Sequence, residues 1–269
     1  MRVFLTGGSG FLGSRIAPAV STAGYASWGL ANSSAAEDEV TRNGLFPVSG
    51  DLTDPTSLAL AVKKAKPEIV IHAAGERWTQ RKNKLLRQVN VEGTRLLISS
   101  LRHLQIERFI YVGSLLVGQP NGTMSREDEM LTPTTAFGET IVECEMMLQE
   151  AADKHNFSLV ILRPGYMYGA GGWLTQIVRE LKRHVFSIPG DGENHWEVVH
   201  VDDVVQAVLR AAMAPKENLA PEVFNVVDDE PVSMNDFVAE VCYQMDREPP
   251  VHTPAALARL AQGKGVVDT

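Results

Sequence analysis

The chain opens on a short apolar run, Arg2–Thr6, that passes directly into the glycine-rich segment TGGSGFLG (residues 6–13) and then into an amphipathic stretch from Phe11 to Ala23. No other feature constrains the fold as strongly as this order of strand, glycine turn and helix. Glycines at positions 7, 10 and 13 permit a tight turn, close approach of the backbone to a pyrophosphate, and close packing of helix on strand. An ordinary glycine-rich βα turn has the same local pattern, so the rest of the chain has to separate the two readings.

Alternation continues downstream. Ala26–Leu30 and Leu45–Val48 read as strands, Pro55–Lys66 as a helix opened by proline, and Ile69–His72 as a buried strand followed by Ala73, Ala74 and Gly75. A long helix is predicted from about Gln80 to Leu104, then a strand at Arg108–Val112. A second long helix follows over about Thr134–His155, and a strand at Ser158–Leu162 closes on Arg163-Pro164-Gly165. Strands separated by helices predict an α/β fold, a Rossmann-type doubly wound parallel sheet. Past residue 165, Gly- and Pro-rich segments (YGAGGW, SIPGDGENHW) alternate with helices near Asp202–Ala212 and Ser233–Met245. We therefore expect a dinucleotide-binding domain over residues 1–165 and a small C-terminal substrate lobe over 166–269, partly interleaved with the sheet.

Composition excludes several function classes. With 269 residues, 44% hydrophobic and 22% charged, the chain can bury one large core and an attached lobe. A formal charge of -8 argues against a phosphate-backbone binder, so no nucleic-acid partner is expected. No apolar stretch approaches membrane-spanning length and the first apolar run is too short for a secretory signal, so a cytoplasmic protein without membrane attachment is expected. Cys144 and Cys242 lie far apart without metal-ligand spacing, and are read as buried apolar side chains with no disulfide and no metal site.

Six segments in order resemble the extended short-chain dehydrogenase/reductase superfamily, the epimerase/dehydratase group. TGGSGFLG matches that family's TGxxGxxG, Asp51-Leu52 its adenine-contacting pair, and His72-Ala73-Ala74-Gly75 the segment beside the cofactor. Asn90 in QVNVEGT matches the helix asparagine, RPGYMYG (163–169) the RPxxVYG run, and HVDDVVQAV (200–208) the family's HVDDVAxA. The resemblance implies a nicotinamide cofactor held by Gly7, Ser9, Gly10, Phe11, Leu12, Gly13, Asp51, Leu52, Ala73, Ala74, Gly75, Asn90, Pro164 and Gly165. After the second strand the chain reads Ala31-Asn32-Ser33-Ser34, with neither the acid that selects NAD nor the arginine that selects NADP. Absence of a repelling carboxylate gives NADP a slight preference over NAD.

The same resemblance implies a hydroxyl after the fifth strand and a Tyr-x-x-x-Lys dyad on the next helix, where tyrosine transfers a proton and lysine lowers its pKa and holds the ribose. Ser114 in YVGSLLVGQ supplies the hydroxyl. In PTTAFGETIVECE, aligned through Pro133, Gly138, Thr140 and Glu145, the dyad positions are Phe137 and Ile141. A phenyl ring donates no proton and isoleucine carries no charge. The helix is kept and its reactive groups are replaced.

Remaining polar groups expected at the pocket are Glu76, Ser114 and Tyr166 as catalytic candidates, with Arg77 able to hold an anionic substrate. Trp78 beside them and His195, Trp196 and His200 in the lobe are also expected near the pocket, and plainer alternatives stand beside these readings: Glu76 and Arg77 as a solvated loop pair, Trp78 and Trp196 as packing, and His200 as a structural histidine. The basic run Arg77, Arg81, Lys82, Lys84 and Arg87 reads first as a solvated helix face. Three functional classes follow: a non-redox enzyme acting on a small molecule by isomerisation, cyclisation or elimination; an oxidoreductase or epimerase with a substitute proton donor; and a noncatalytic dinucleotide-binding sensor or scaffold. The resemblance also implies a homodimer through the two long helices, with Val142, Met146 and Met147 as candidate contact residues.

Overall fold

The computed structural model describes residues 1–117, 126–215, 222–254 and 256–257. In the first half, β1 (Arg2–Thr6), β2 (Ala26–Ala31), β3 (Phe46–Ser49), β4 (Ile69–His72) and β5 (Arg108–Val112) alternate with α1 (Gly13–Thr22), α2 (Ser34–Arg42) and α3 (Pro55–Ala65). Between β4 and β5 lie α4 (Asn83–Leu86), a π-helical turn (Arg87–Glu92) and α5 (Gly93–Leu101). The long α6 (Ala136–His155) precedes β6 (Ser158–Pro164). Then come β7 (Tyr166–Tyr168), α7 (Gly172–Lys182), β8 (Ile188–Pro189), β9 (His195–Trp196) and β10 (Val198–His200). The chain continues through α8 (Val201–Met213), β11 (Glu222–Val226), β12 (Val232–Ser233), α9 (Met234–Gln244) and β13 (His252–Thr253).

Seven strands form one parallel sheet in the order β11-β6-β5-β4-β1-β2-β3. Because side chains alternate across a strand, one strand feeds two cores. Val3 and Leu5 of β1 join Ile16, Val20 and Val208 on the face covered by α1 and α8. Phe4 turns the other way and meets Leu58, Leu97 and Leu148 of α3, α5 and α6. Full burial of each large side chain contributes about 1.5–3 kcal/mol, and Phe4, Phe109, Leu58 and Leu148 are completely inaccessible.

Local signals set the helix ends. The Asp54 carboxylate accepts from the N–H groups of Thr56 (3.1 Å) and Ser57 (3.3 Å), with Pro55 in the first turn of α3. Thr135 caps α6 by accepting from Gly138 N–H at 3.0 Å, and Asn156 ends that helix at φ 53°. Arg108, buried on β5, donates to the carbonyls of Ala212 (2.7 Å) and Ala214 (2.6 Å), satisfying the C-terminus of α8 and tying it to the sheet.

Two expectations need correction. The single helix predicted from Gln80 to Leu104 is instead α4, a π turn and α5, with residues before Asn83 outside it. Its 3.6-residue pattern carries no mark of the extra residue in the turn, which places Asn90 and Thr94 inward together. The second is an omission, since no element was assigned between Leu30 and Leu45: α2 lies there, and Ser33 caps it, its Oγ accepting from Ala36 N–H at 3.2 Å. After residue 165 the chain contributes both to the sheet, through β11 and α8, and to a smaller lobe. That lobe has its own core of Ile177, Leu181, Ile188, Met234, Val238 and Cys242. Both cysteines are buried.

Candidate active site

The crevice forms where β1 and β4 lie side by side and the chain leaves them toward opposite sheet edges. Gly7 stands at φ +78°, and a Cβ there would lie 2.8 Å from the Ala73 carbonyl oxygen. The turn is closed by Gly10 N–H donating to Gly7 O at 2.9 Å, and a Cβ on Gly13 would collide with that same carbonyl. Helix α1 starts with Leu12 at its cap, no side-chain cap and no acid in the first turn. Its positive end is thus presented to whatever occupies the crevice.

Beneath the turn a buried hydrogen-bond chain fixes the floor. Thr94 donates to Asn90 O (2.6 Å), so it accepts from His72 Nε2–H (2.9 Å), and His72 Nδ1 accepts from the Thr6 hydroxyl (2.7 Å). Thr6 Oγ1 in turn accepts Ala74 N–H at 3.3 Å, which anchors the Ala73-Ala74 segment. Both imidazole nitrogens are occupied in the neutral form, and burial drives the His72 pKa down to about 4. Burial likewise pushes the neighbouring Cys144 thiol up to about 11, so it is no nucleophile.

Asn90, inward-facing from the π turn, positions the next segment. Its Oδ1 accepts Glu76 N–H at 2.7 Å, and its Nδ2 donates to Glu76 O (3.2 Å) and Thr140 Oγ1 (3.1 Å). The asparagine therefore clamps the chain at Glu76, whose carboxylate accepts from Gln80 Nε2 at 3.1 Å. On the opposite side, Arg163 and Glu145 form a buried two-point ion pair (3.0 and 2.7 Å) just before Pro164.

These elements enclose a cavity of about 540 Å³. Of the residues expected at the site, Gly7, Gly10, Phe11, Leu12, Gly13, Ala73, Ala74, Gly75, Glu76, Asn90, Ser114, Gly165 and Tyr166 line it together. Ser9, Asp51, Leu52 and Pro164 do not line it. Ser9 is exposed on the turn, and Asp51 Oδ1 accepts from Thr53 N–H and Oγ1–H, both at 2.7 Å. Leu52 is buried in the sheet core, and the Pro164 carbonyl accepts Leu115 N–H at 3.0 Å. Arg77 and Trp78 reach the cavity, but His195, Trp196 and His200 do not. His200 caps α8, its Nδ1 accepting from Asp202 N–H at 3.3 Å, while Trp196 stacks on Tyr166 at 5.1 Å.

Phe137 and Ile141 form one wall of the cavity, each almost fully buried in a cluster with Leu86 and Val117. Neither offers a donor or a charge. Ser114 Oγ accepts Leu116 N–H at 3.0 Å, which leaves its hydroxyl proton to donate into the cavity. Reading the sequence missed Met167, Gly172 and Trp173 on the lobe side. The signal was present in YGAGGW: Gly171 (φ +101°) and Gly172 (φ +57°) take conformations side chains avoid, and a Cβ on either would press on the Phe11 ring at 3.3 Å. Their bareness lets the lobe close over the glycine turn. Among the described residues no group of His, Cys, Asp and Glu is arranged to hold a metal ion, and no helix is long and apolar enough to cross a membrane.

A parallel sheet whose switch point carries a glycine turn, an open helix start and a roofed cavity defines the class of dinucleotide-type α/β folds with an attached smaller lobe. Within that class, a profile of the NAD dependent epimerase/dehydratase family matches residues 3–226, and the chain belongs to that family. Two of its relatives are named as enzymes. A ketoreductase of Stigmatella aurantiaca, named for 4-hydroxy-2-methyl-3-oxo-4-farnesyl-3,4-dihydroquinoline-1-oxide, is 25% identical over 244 residues, spanning 88% of this chain and 71% of its own. The N-acetyl-alpha-D-glucosaminyl-diphospho-ditrans,octacis-undecaprenol 4-epimerase of Escherichia coli is 27% identical, covering 96% and 77%. In fold, the chain superposes on Thermus thermophilus UDP-glucose 4-epimerase, solved with NAD, at a TM-score of 0.83 and 21% identity over 94% of this chain and 86% of that one.

Proposed function

We propose that this protein is an enzyme that holds a nicotinamide dinucleotide along the glycine turn and converts a small molecule in the adjoining cavity without a Tyr-x-x-x-Lys dyad, by isomerisation, cyclisation or elimination. One observation carries the reading: the wall that the family resemblance assigns to the dyad is Phe137 and Ile141, buried and apolar.

The residues present fit the pyrophosphate end of a dinucleotide. Gly7, Gly10 and Gly13 leave a cradle that any Cβ would fill, and α1 directs its uncapped positive end there. Bound there, the dinucleotide supplies capacity for hydride transfer. The chain's own groups do the rest: Ser114 orients a substrate oxygen by donating its hydroxyl proton, the Glu76 carboxylate takes up a proton from carbon or oxygen, and Tyr166 returns one from its phenol. Asn90 fixes Glu76 through the backbone, and the Phe137–Ile141 wall excludes water. β2 ends without a carboxylate at Ala31, which supports NADP slightly over NAD. The division of labour between residues 1–165 and the lobe after 166, and a cytoplasmic location, belong to the same proposal.

A second reading has a specific support. Tyr166 and Ser114 line the same cavity, so a phenol and a hydroxyl are both at hand for a reductase with a substitute proton donor. Calorimetry with NAD(H) and NADP(H), followed by turnover with cofactor deuterated at the transferable carbon, separates the readings. Binding with no deuterium in product and no net cofactor oxidation supports the first. Deuterium in product promotes the second. No binding of any of the four forms at millimolar concentration removes the cofactor from both.

A further inference from the structure

The lobe side of the cavity is aromatic, and the rings are arranged in two layers. Trp78, Tyr166 and Trp173 face the cavity. Behind them stand Trp196, stacked on Tyr166 (5.1 Å, 24°) and edge-on to Trp173 (5.8 Å), and Phe237, 5.3 Å from Trp173. Trp78 meets Tyr166 edge-on at 6.3 Å. The rear rings do not reach the cavity and serve to hold the front ones in place. Trp173 donates its Nε1–H to the Met167 carbonyl at 2.6 Å, so the indole turns no donor toward a ligand. What it offers is a fixed apolar face.

Charge points the same way. Among the described lining residues the formally charged ones are Glu76 and Arg77, adjacent and opposite, with Arg77 exposed at the rim. A sugar nucleotide would bring a diphosphate and a ring of hydroxyls. On this side it would meet Trp78, Leu116, Phe137, Ile141, Met167 and Trp173, and polar groups without partners there are costly to bury.

Resting on the proposed reading of this cavity as the substrate site, we infer that the substrate is a planar apolar molecule, aromatic or fused-ring, bearing a single carbonyl or hydroxyl oxygen, and not a sugar nucleotide. Its ring lies against Trp78, Tyr166 and Trp173, and its oxygen accepts from Ser114. The basic run read as a solvated helix face is engaged on the surface in part: Arg87 pairs with Glu143 at 2.7 Å.

The test uses the full chain and two probes, 2-acetylnaphthalene as a planar aromatic ketone and UDP-glucose, each with and without dinucleotide. Calorimetry and tryptophan fluorescence should show the ketone binding and UDP-glucose failing to bind at the same concentration. Trp78→Leu and Trp173→Leu should each weaken the ketone about tenfold, while Trp28→Phe on β2 leaves ketone and dinucleotide affinity unchanged. Saturation-transfer NMR on the wild-type protein should show the naphthyl protons in contact, a readout that needs no variant to fold. UDP-glucose binding as tightly as the ketone, no ketone binding, or ketone binding indifferent to both tryptophan substitutions would overturn the inference. Loss of dinucleotide binding with ketone binding intact would instead strike the cofactor reading and leave this one standing.

Discussion

The buried pair Arg163–Glu145 is the sharpest place to test how the fold holds its site. Arg163 is the penultimate residue of β6, one before Pro164 and two before Gly165, and Glu145 rises from the middle of α6. Their side chains are 7% and 5% exposed, and the two contacts, Nε to Oε1 at 3.0 Å and Nη2 to Oε2 at 2.7 Å, make a parallel fork. A Cβ on Gly113 would lie 3.3 Å from the same carboxylate, so the pair also underlies the Gly113-Ser114 segment. Removing one partner leaves a buried charge uncompensated, which costs about 3–5 kcal/mol, whereas replacing both with apolar groups of similar size costs about nothing or stabilises. Glu145→Leu and Arg163→Met should therefore each destabilise by about 3–4 kcal/mol, and the two together should come within about 1 kcal/mol of the parent. For a chain of this size each single change should lower Tm by about 10 °C. Urea unfolding followed by tryptophan fluorescence gives the four corners of the cycle, provided the m-value is constant. Single substitutions costing below about 1 kcal/mol, or a double variant costing the sum of the two, would refute the argument.

Other consequences follow from the same geometry. His72 is neutral when buried and its pKa falls from 6.5 to about 4, so the unfolded chain binds the extra proton between those values; its contribution is whole above 6.5 and lost as pH falls. The loss should reach about 3 kcal/mol near pH 4, and His72→Gln should flatten it; identical urea midpoints against pH in both proteins would exclude the assignment. Ile141→Lys should tighten dinucleotide binding by about 1–3 kcal/mol if position 141 faces the ribose, and calorimetry showing no change would place the dyad positions elsewhere. Phe137→Tyr alone should leave turnover within a few-fold, because no cation stands at Ile141 to lower the phenol's pKa, while Ser114→Ala and Tyr166→Phe should reduce it more. A homodimer through α5 and α6 would cover Met146, which is 59% exposed; small-angle scattering that fits a monomer at high concentration, or Met146→Lys without effect on mass, would count against it.

Local chemistry was enough for much of the fold. β1, β4 and β5 match their expected bounds because both faces are buried and the apolar runs are continuous, and α3 and α6 start where Asp54 and Thr135 cap them. The glycine turn was legible for the same reason: Gly7 and Gly13 are required by backbone contacts within a few residues and with the adjoining strand. β11 was not legible, since EVFNV is a half-exposed edge strand ordered by parallel pairing with β6, some sixty residues earlier. Nor was the π turn, from which Asn90 bonds Glu76 in the loop after β4 and Thr140 in α6, both distant in sequence. The family resemblance is what assigns Phe137 and Ile141 to the dyad positions; that the two form a dry wall with Leu86 and Val117 required the packed helices. The aromatic side of the cavity was decided last of all. Trp173 sits above the glycine turn, and Trp196 behind Tyr166, only because β10 pairs with β7 and the bare Gly171-Gly172 corner closes on Phe11, contacts between residues far apart in sequence that no local pattern encodes.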